Sequence, residues 1–286
     1  MTKRTLVVVS ISVVIALSFV SGVHAAEFKL TPSDGEADDE FGYSVAIAGG
    51  YALFGAHYDD SGSAYIFKWN GISWFEQAKL TASDAAAGDG FGHSVAIAGD
   101  YALIGAYGND DNGSMSGSAY IFKRDGSSWN EQAKLTASDA AASDRFGSSV
   151  AIAGEYALVG AHGNADNGTD SGSAYIFKWN GISWFEQAKL TASDTAAYDH
   201  FGLSVAIAGD YALVGAPYDN DNGIDSGSTY IFKRDGSSWT QQAKLTASDG
   251  EADDRFGESV AIAGEYALIS AFADDDHGTN SGSAYI

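Results

Sequence analysis

The sequence predicts an all-β fold: a β-propeller of four-stranded antiparallel blades, with five repeat units in the chain. Three observations carry this. Phe-Gly recurs at Phe41, Phe91, Phe146, Phe201 and Phe256, at spacings of 50, 55, 55 and 55 residues, and so long a period signals a stacked or circular array. Short apolar runs within each unit are separated by Gly-first or Asn/Asp-Gly pairs, the chemistry of tight hairpins. The runs are also apolar on both sides. In Tyr101–Ala106, Tyr101, Leu103 and Gly105 face one way, and Ala102, Ile104 and Ala106 the other. A sheet buried on both faces needs a neighbour on each, and sheets packed face to face around an axis provide it. A transmembrane barrel needs strands of about 9–11 residues; these runs are shorter and end in polar residues or turns.

From the N-terminus, Lys3 and Arg4 precede the apolar run Leu6–Val20, and Val23 and Ala25 stand at small-residue exit positions. This is the three-part pattern of a secretory signal peptide over residues 1–25, the alternative being a membrane anchor. Residues 26–286 then form the propeller. Cleavage removes two basic residues and no acidic ones, taking the net charge from −23 to −25. Next comes Phe28-Lys29-Leu30-Thr31-Pro32-Ser33-Asp34, which matches Ala133–Asp139 and reads as a lone copy of the fourth strand of a unit, strand d. Each unit then supplies strand a (Ser94–Ala98), strand b (Tyr101–Ala106), strand c (Ser118–Lys123) and strand d (Trp129–Leu135). Gly99-Asp100 and its counterparts predict type II′ turns between a and b. Asn70-Gly71, Asp125-Gly126, Asn180-Gly181 and Asp235-Gly236 predict type I′ turns between c and d. The last unit stops at Ile286, inside strand c, so the N-terminal strand is expected to complete the last blade. An array cut from a longer one, for example of seven blades, would read the same way.

Composition narrows the function. With no Cys there is no disulfide framework and no thiolate metal site or nucleophile. An excess of 38 acidic over 15 basic residues argues against nucleic acid and against docking on anionic lipid. It predicts no nucleic-acid partner and no membrane insertion once the leader is removed.

The Phe-Gly starts, together with Gly215-Ala216-Pro217 at the end of a strand b, resemble the FG-GAP repeat of integrin α N-terminal propellers and of many exported bacterial proteins. The resemblance covers Phe28–Ile286. It implies a non-catalytic propeller that presents loops to a protein or glycan. Integrin propellers bind calcium in the a–b hairpin through an Asp-x-Asp-x-Asp-Gly run. Here that hairpin holds two residues and offers only Asp100, Glu155, Asp210 and Glu265, too few oxygens for Ca²⁺. Those sites are not carried over.

In an up-and-down sheet the b–c and d–a connections lie at one end. They hold 27 of the 38 acidic residues, 15 in the d–a connections and 12 in the b–c loops, which predicts a strongly negative face. The b–c loops read as solvated turns or as a weak Ca²⁺ site, with Asp110, Asp111, Asp166, Asp170, Asp219, Asp221, Asp225, Asp274 and Asp276 as candidate ligands; their Gly misses the EF-hand register. In the d–a connections, the first Asp (Asp139) reads as the cap of a single helical turn and the second (Asp144) as a turn acceptor. His57 and His162 read as tolerant packing positions. The serines after Phe-Gly (Ser44, Ser94, Ser149, Ser204, Ser259) lack a His at constant spacing and are poor nucleophile candidates. Trp74, Trp129, Trp184 and Trp239 read as seals of the outer sheet rather than sugar platforms. No carboxylate pair stands out as an acid and base for glycoside hydrolysis. The expectation is a secreted, periplasmic or cell-surface module that binds a protein or glycan in adhesion and carries no catalytic residues. The alternatives are a polysaccharide-acting enzyme using Asp219 and Asp221, and a part of a larger surface protein.

Overall fold

The computed structural model describes residues 27–286, together with the backbone of a two-residue strand, β1 (Ile11–Ser12), that pairs in parallel with β2. Apart from that strand, the expected leader lies outside the described residues. Blade 1 is β2 (Ser44–Ala48), β3 (Tyr51–Ala56), β4 (Ser63–Trp69) and β5 (Trp74–Leu80). Blade 2 is β6 (Phe91–Ala98), β7 (Tyr101–Ala106), β8 (Ser118–Asp125) and β9 (Ser128–Leu135). Blade 3 is β10 (Ser149–Ala153), β11 (Tyr156–Ala161), β12 (Ser173–Trp179) and β13 (Trp184–Leu190). Blade 4 is β14 (Ser204–Ala208), β15 (Tyr211–Ala216), β16 (Ser228–Asp235) and β17 (Ser238–Leu245). Blade 5 is β18 (Phe256–Ala263), β19 (Tyr266–Ala271) and β20 (Ser283–Tyr285). Within each blade the strands pair antiparallel in chain order. The fold is the five-bladed propeller expected.

Two-sided burial holds the blades together. Leu103, Ile121 and Leu135 of blade 2 share one core with Phe146, Val150, Ile152 and Val159 of blade 3, and the same set recurs at the other packed interfaces. The Phe-Gly motif has two jobs in this packing. The Phe plugs the core edge-on against the strand-c aromatics: Phe146 lies 5.5 Å from Tyr175 and 5.9 Å from Phe177. The Gly stands at positive φ (90° at Gly147) and brings its carbonyl against the preceding blade. A Cβ on Gly105 would lie 1.9 Å from that Gly147 oxygen, so the strand-b glycine is what lets the blades approach. The innermost strands surround a central channel. Its loop-side part, about 280 Å³, is lined by Ser44, Ser94, Ser149, Ser204 and Ser259. The hairpin-side part, about 740 Å³, is lined by the Ala-Ile-Ala-Gly segments.

Three local expectations need correction. The c–d turns are not type I′. In blade 2, Asp125 still pairs with Ser128, so the two-residue loop is Gly126-Ser127 and Gly126 alone has positive φ; this suits a Gly-first type II′ turn. In blade 1 the loop spans 70–73, and Asn70 Oδ1 accepts hydrogen bonds from the amides of Ile72 and Ser73. The d–a connections contain two successive turns and no helical turn. Finally, residues 28–34 make no ladder to β20, which leaves three strands in the fifth sheet among the described residues. Strand c of blade 5, Ser283–Tyr285, pairs with strand b through three residues, a short edge compared with the seven-residue β4 and β12.

Candidate functional site

The most organised polar groups lie where the b–c and d–a connections meet the end of strand d. There, four lysines each gather carboxylates from two loops. Lys79 Nζ is 2.7 Å from Asp34 and 2.8 Å from Asp59. Lys134 is 2.5 Å from Asp84 and also pairs with Asp111. Lys189 is 2.6 Å from Asp139 and also pairs with Asp166. Lys244 is 2.7 Å from Asp194, 3.0 Å from Asp219 and 2.6 Å from Asp221. A buried strand-c tyrosine completes each group. Tyr120 donates to Asp84 at 2.8 Å, Tyr175 to Asp139 at 2.9 Å, and Tyr230 to Asp194 at 2.9 Å and Asp219 at 3.1 Å.

Alternation along the strands explains this convergence. The strand-c tyrosine and the strand-d lysine are paired across the ladder (Tyr120 with Lys134, Tyr175 with Lys189), so they share a face. The lysine then lies over the tyrosine ring, 5.4 Å from its centre in blade 2. Burial pushes the carboxyls of Asp84, Asp139 and Asp194 up, but hydrogen bonds from the lysine and tyrosine hold them below the usual carboxylate range. Asp34 is held down chiefly by Lys79 and Tyr65. Burial raises the tyrosine hydroxyls, and the neighbouring aspartates raise them further.

This geometry sorts the candidate ligands. Asp111, Asp166, Asp219 and Asp221 enter lysine-centred groups. Asp274 accepts from Tyr285 at 3.2 Å and from the amide of Asp276 at 3.1 Å. Asp110 accepts from the Met115 amide at 2.6 Å. Asp170 and Asp225 occupy a left-handed backbone position that Met115 and Asn280 fill in other units, so conformation accounts for them. Sequence reasoning missed the lysines, the tyrosines, and Asp194 as a member of the cluster, although the repeated Lys-Leu-Thr-Ala-Ser-Asp was in view. The Asp contacts the lysine of the following blade, a relation that spacing within one motif does not express. Asp139 is therefore no helix cap. Asp144 is a turn acceptor as expected: its carboxylate takes the Ala141 amide at 2.8 Å.

Asp194, Asp219 and Asp221 each offer an oxygen within 4.8 Å of the others, a group able to hold a metal ion. Lys244 lies among the three, so a metal there competes with an ammonium already in place.

The other candidates fall into structural roles. Ser44, Ser149 and Ser204 donate to the carbonyls of Gly92, Gly202 and Gly257 at 2.7 Å, tying each blade to the next. Trp129, Trp184 and Trp239 donate through Nε1 to Gln77, Gln132 and Gln187 of the preceding blade, sealing the outer strands as expected. His57 packs at 4.0 Å between the rings of Tyr43 and Tyr58. His162 meets Ser148 Oγ at 2.9 Å.

The FG-GAP repeat pattern matches residues 25–67, 74–122, 129–177, 184–232 and 239–286. The chain belongs to the FG-GAP repeat family. The second to fifth matched FG-GAP units each begin with a strand d and end in strand c of the next blade, so the unit spans the blade interface that the lysine groups bridge. No curated protein matches the chain.

Proposed function

We propose that this FG-GAP propeller is an exported, non-catalytic interaction module that engages a protein or glycan through the b–c and d–a loops, in adhesion at a cell surface. The observation that carries this reading is how the cations at that end are used. Lys79, Lys134, Lys189 and Lys244 are each committed to two or three aspartates. Arg145 meets His162 at 3.2 Å, and Arg255 lies over the rings of Tyr218 and Phe272. The remaining loop carboxylates are surplus, and a surplus of one sign over a rim favours a partner of the opposite sign. FG-GAP membership and the serine, tryptophan and aspartate contacts, all structural, support a scaffold over an enzyme.

The test is binding of the full chain to immobilised basic proteins and to a glycan array at low and high salt. Binding that weakens with salt, and that falls when Asp110, Asp170 and Asp225 are changed to Asn, is expected. Capture indifferent to both salt and these substitutions would refute the charged-face reading.

Assistance by Ca²⁺ is part of the proposal, on the strength of the Asp194, Asp219 and Asp221 group. A hard cation there takes the place of the Lys244 ammonium. Lys244→Met should therefore raise Ca²⁺ affinity above wild type, as read by calorimetry. Equal, negligible heats for both proteins would remove calcium from the account.

A further inference from the structure

We propose that the loop-side chamber of the channel binds one neutral sugar unit at the end of a glycan, held by Glu258, Tyr43 and the ring of serines. This rests on the interaction-module reading and gives that module a sugar site inside its acidic rim. The starting point is where the repeat breaks. Lys68–Asp84 recurs unchanged at Lys178–Asp194, and the Ser that closes each Phe-Gly-x-Ser is the same in all five units. The residue before that Ser differs in every one: Tyr43, His93, Ser148, Leu203 and Glu258. Folding brings these five side chains and the five serines into one chamber of about 280 Å³. Drift at a tolerant surface position does not account for the divergence, because Ser148 is buried to 8 % exposure and the other four are half-buried. Five different side chains around one axis suit an occupant that lacks five-fold symmetry.

Hydrogen bonding defines the chemistry of the chamber. Ser44, Ser149 and Ser204 donate their protons to Gly carbonyls at 2.7 Å, so their oxygens have only lone pairs left. His93 Nδ1 donates to the Ser148 carbonyl at 3.2 Å, and the Tyr43 hydroxyl donates to His93 Nε2 at 3.4 Å; the phenol oxygen also keeps only lone pairs. His162 accepts from Arg145 at Nε2 and donates from Nδ1 to Ser148 Oγ at 2.9 Å. Both imidazoles are therefore neutral, their tautomers set by a carbonyl and a guanidinium. Glu258 Oε2 is buried without a hydrogen-bond partner among the described residues. Burial pushes this carboxyl up, against a smaller pull from Arg255. A buried acceptor left unmatched is costly until a donor reaches it. Ser94 Oγ instead accepts from the Val150 amide at 3.1 Å, which frees its proton to donate. Mostly acceptors, with a hydroxyl donor among them, match a ligand rich in hydroxyl groups. An ammonium brings donors too, but Arg145 and Arg255 stand beside His162 and Glu258 and repel it, and it has no acceptor for Ser94. At about 280 Å³ the chamber lies near the lower end of small-ligand sites, about 300–1,000 Å³, which suits one sugar ring. Tyr43, His57 and Tyr58 stack in succession at 4.0 Å, and Tyr58 is 60 % exposed. This run of rings carries an aromatic surface outward for the following unit of the glycan.

The test uses the full chain. A glycan array, followed by calorimetry with the free terminal monosaccharide of the strongest hit, should show one saturable site. Binding there should not change with salt or with Asp110, Asp170 and Asp225 replaced by Asn, because an uncharged sugar is indifferent to screening. Glu258→Gln should weaken it at least about tenfold, the effect of losing a hydrogen bond to a charged group. Leu203→Trp fills the chamber without removing a polar group and should abolish binding while the melting transition stays cooperative. The absence of any array hit, or sugar binding that survives both Glu258→Gln and Leu203→Trp, overturns the proposal. So does butylammonium binding more tightly than the sugar, since the chamber would then be a cation site. Repeated on the Leu203→Trp chain, the salt test of the rim proceeds without the chamber, so either reading can fail alone.

Discussion

His162 and His93 sit at the loop-side mouth of the channel, and burial decides their chemistry. Desolvation, with the neighbouring His200 and Arg145, takes His162 down to about 3. Desolvation, with His57, takes His93 down to about 4. Unfolded, both titrate near 6.5. Between those values the unfolded chain binds more protons than the folded one, so stability falls as pH drops from about 6.5 towards 4. Asp199 opposes this. Burial, with Asp219 nearby, raises it to about 6, so its contribution is present at low pH and is lost as pH rises through 6. Burial also lowers His57 and His200 and raises Asp144, Asp254 and Glu258; the largest displacements among these groups are those of His162 and His93, so Tm should decline on acidification from pH 7 to pH 4. His162→Gln should flatten that decline by about 2–4 °C for each kcal/mol of linkage removed; an unchanged Tm profile would show that the ring is protonated in the fold. Below the ordinary carboxylate range a second loss is expected, as Asp84, Asp139 and Asp194 are forced to accept protons that their lysines and tyrosines disfavour.

Strands bury a constant set of side chains at each interface, so substitutions along β7 and β11 separate two costs. Leu158 is fully buried, and Leu158→Ala should cost about 2–5 kcal/mol through lost transfer energy and the cavity left behind. Gly105→Ala adds one methyl where the Gly147 carbonyl already stands. It should cost at least as much as an ordinary overpacked core position, about 1–3 kcal/mol. Denaturant melts compared with wild type check both, and a neutral Gly105→Ala would mean that the blades slide apart freely. At this level β7 was readable to the residue as Tyr101–Ala106, because two-sided apolarity bounded by Gly-Asp and Gly admits little else. The c–d turns were misread because Asn-Gly and Asp-Gly suit several turns, and the pairing of Asp125 with Ser128 depends on the partner strand.

Across the whole molecule a net charge of −23 opposes compaction, and the lysine-centred groups answer it one interface at a time. Moderate salt should screen the residual repulsion and raise Tm. Lys189→Met, which strands Asp139 and Asp166, should lower Tm at low salt and recover in part at high salt; a salt-independent loss would show that the lysine acts through packing alone. The repeat period, the strand alternation and the Phe-Gly starts are local or periodic, so they predicted the class of fold, the blade content and nearly every strand directly. The carboxylate-rich connections were equally visible as composition. Their chemistry was not. Asp84 meets Lys134 fifty residues later, in the next blade, and Asp194 reaches Asp219 and Asp221 only through the packing of separate sheets. Which acids become ion-paired, which turn-bound and which left over is a matter of distances between chain segments remote in sequence, and those distances exist only once the apolar faces have been pressed together.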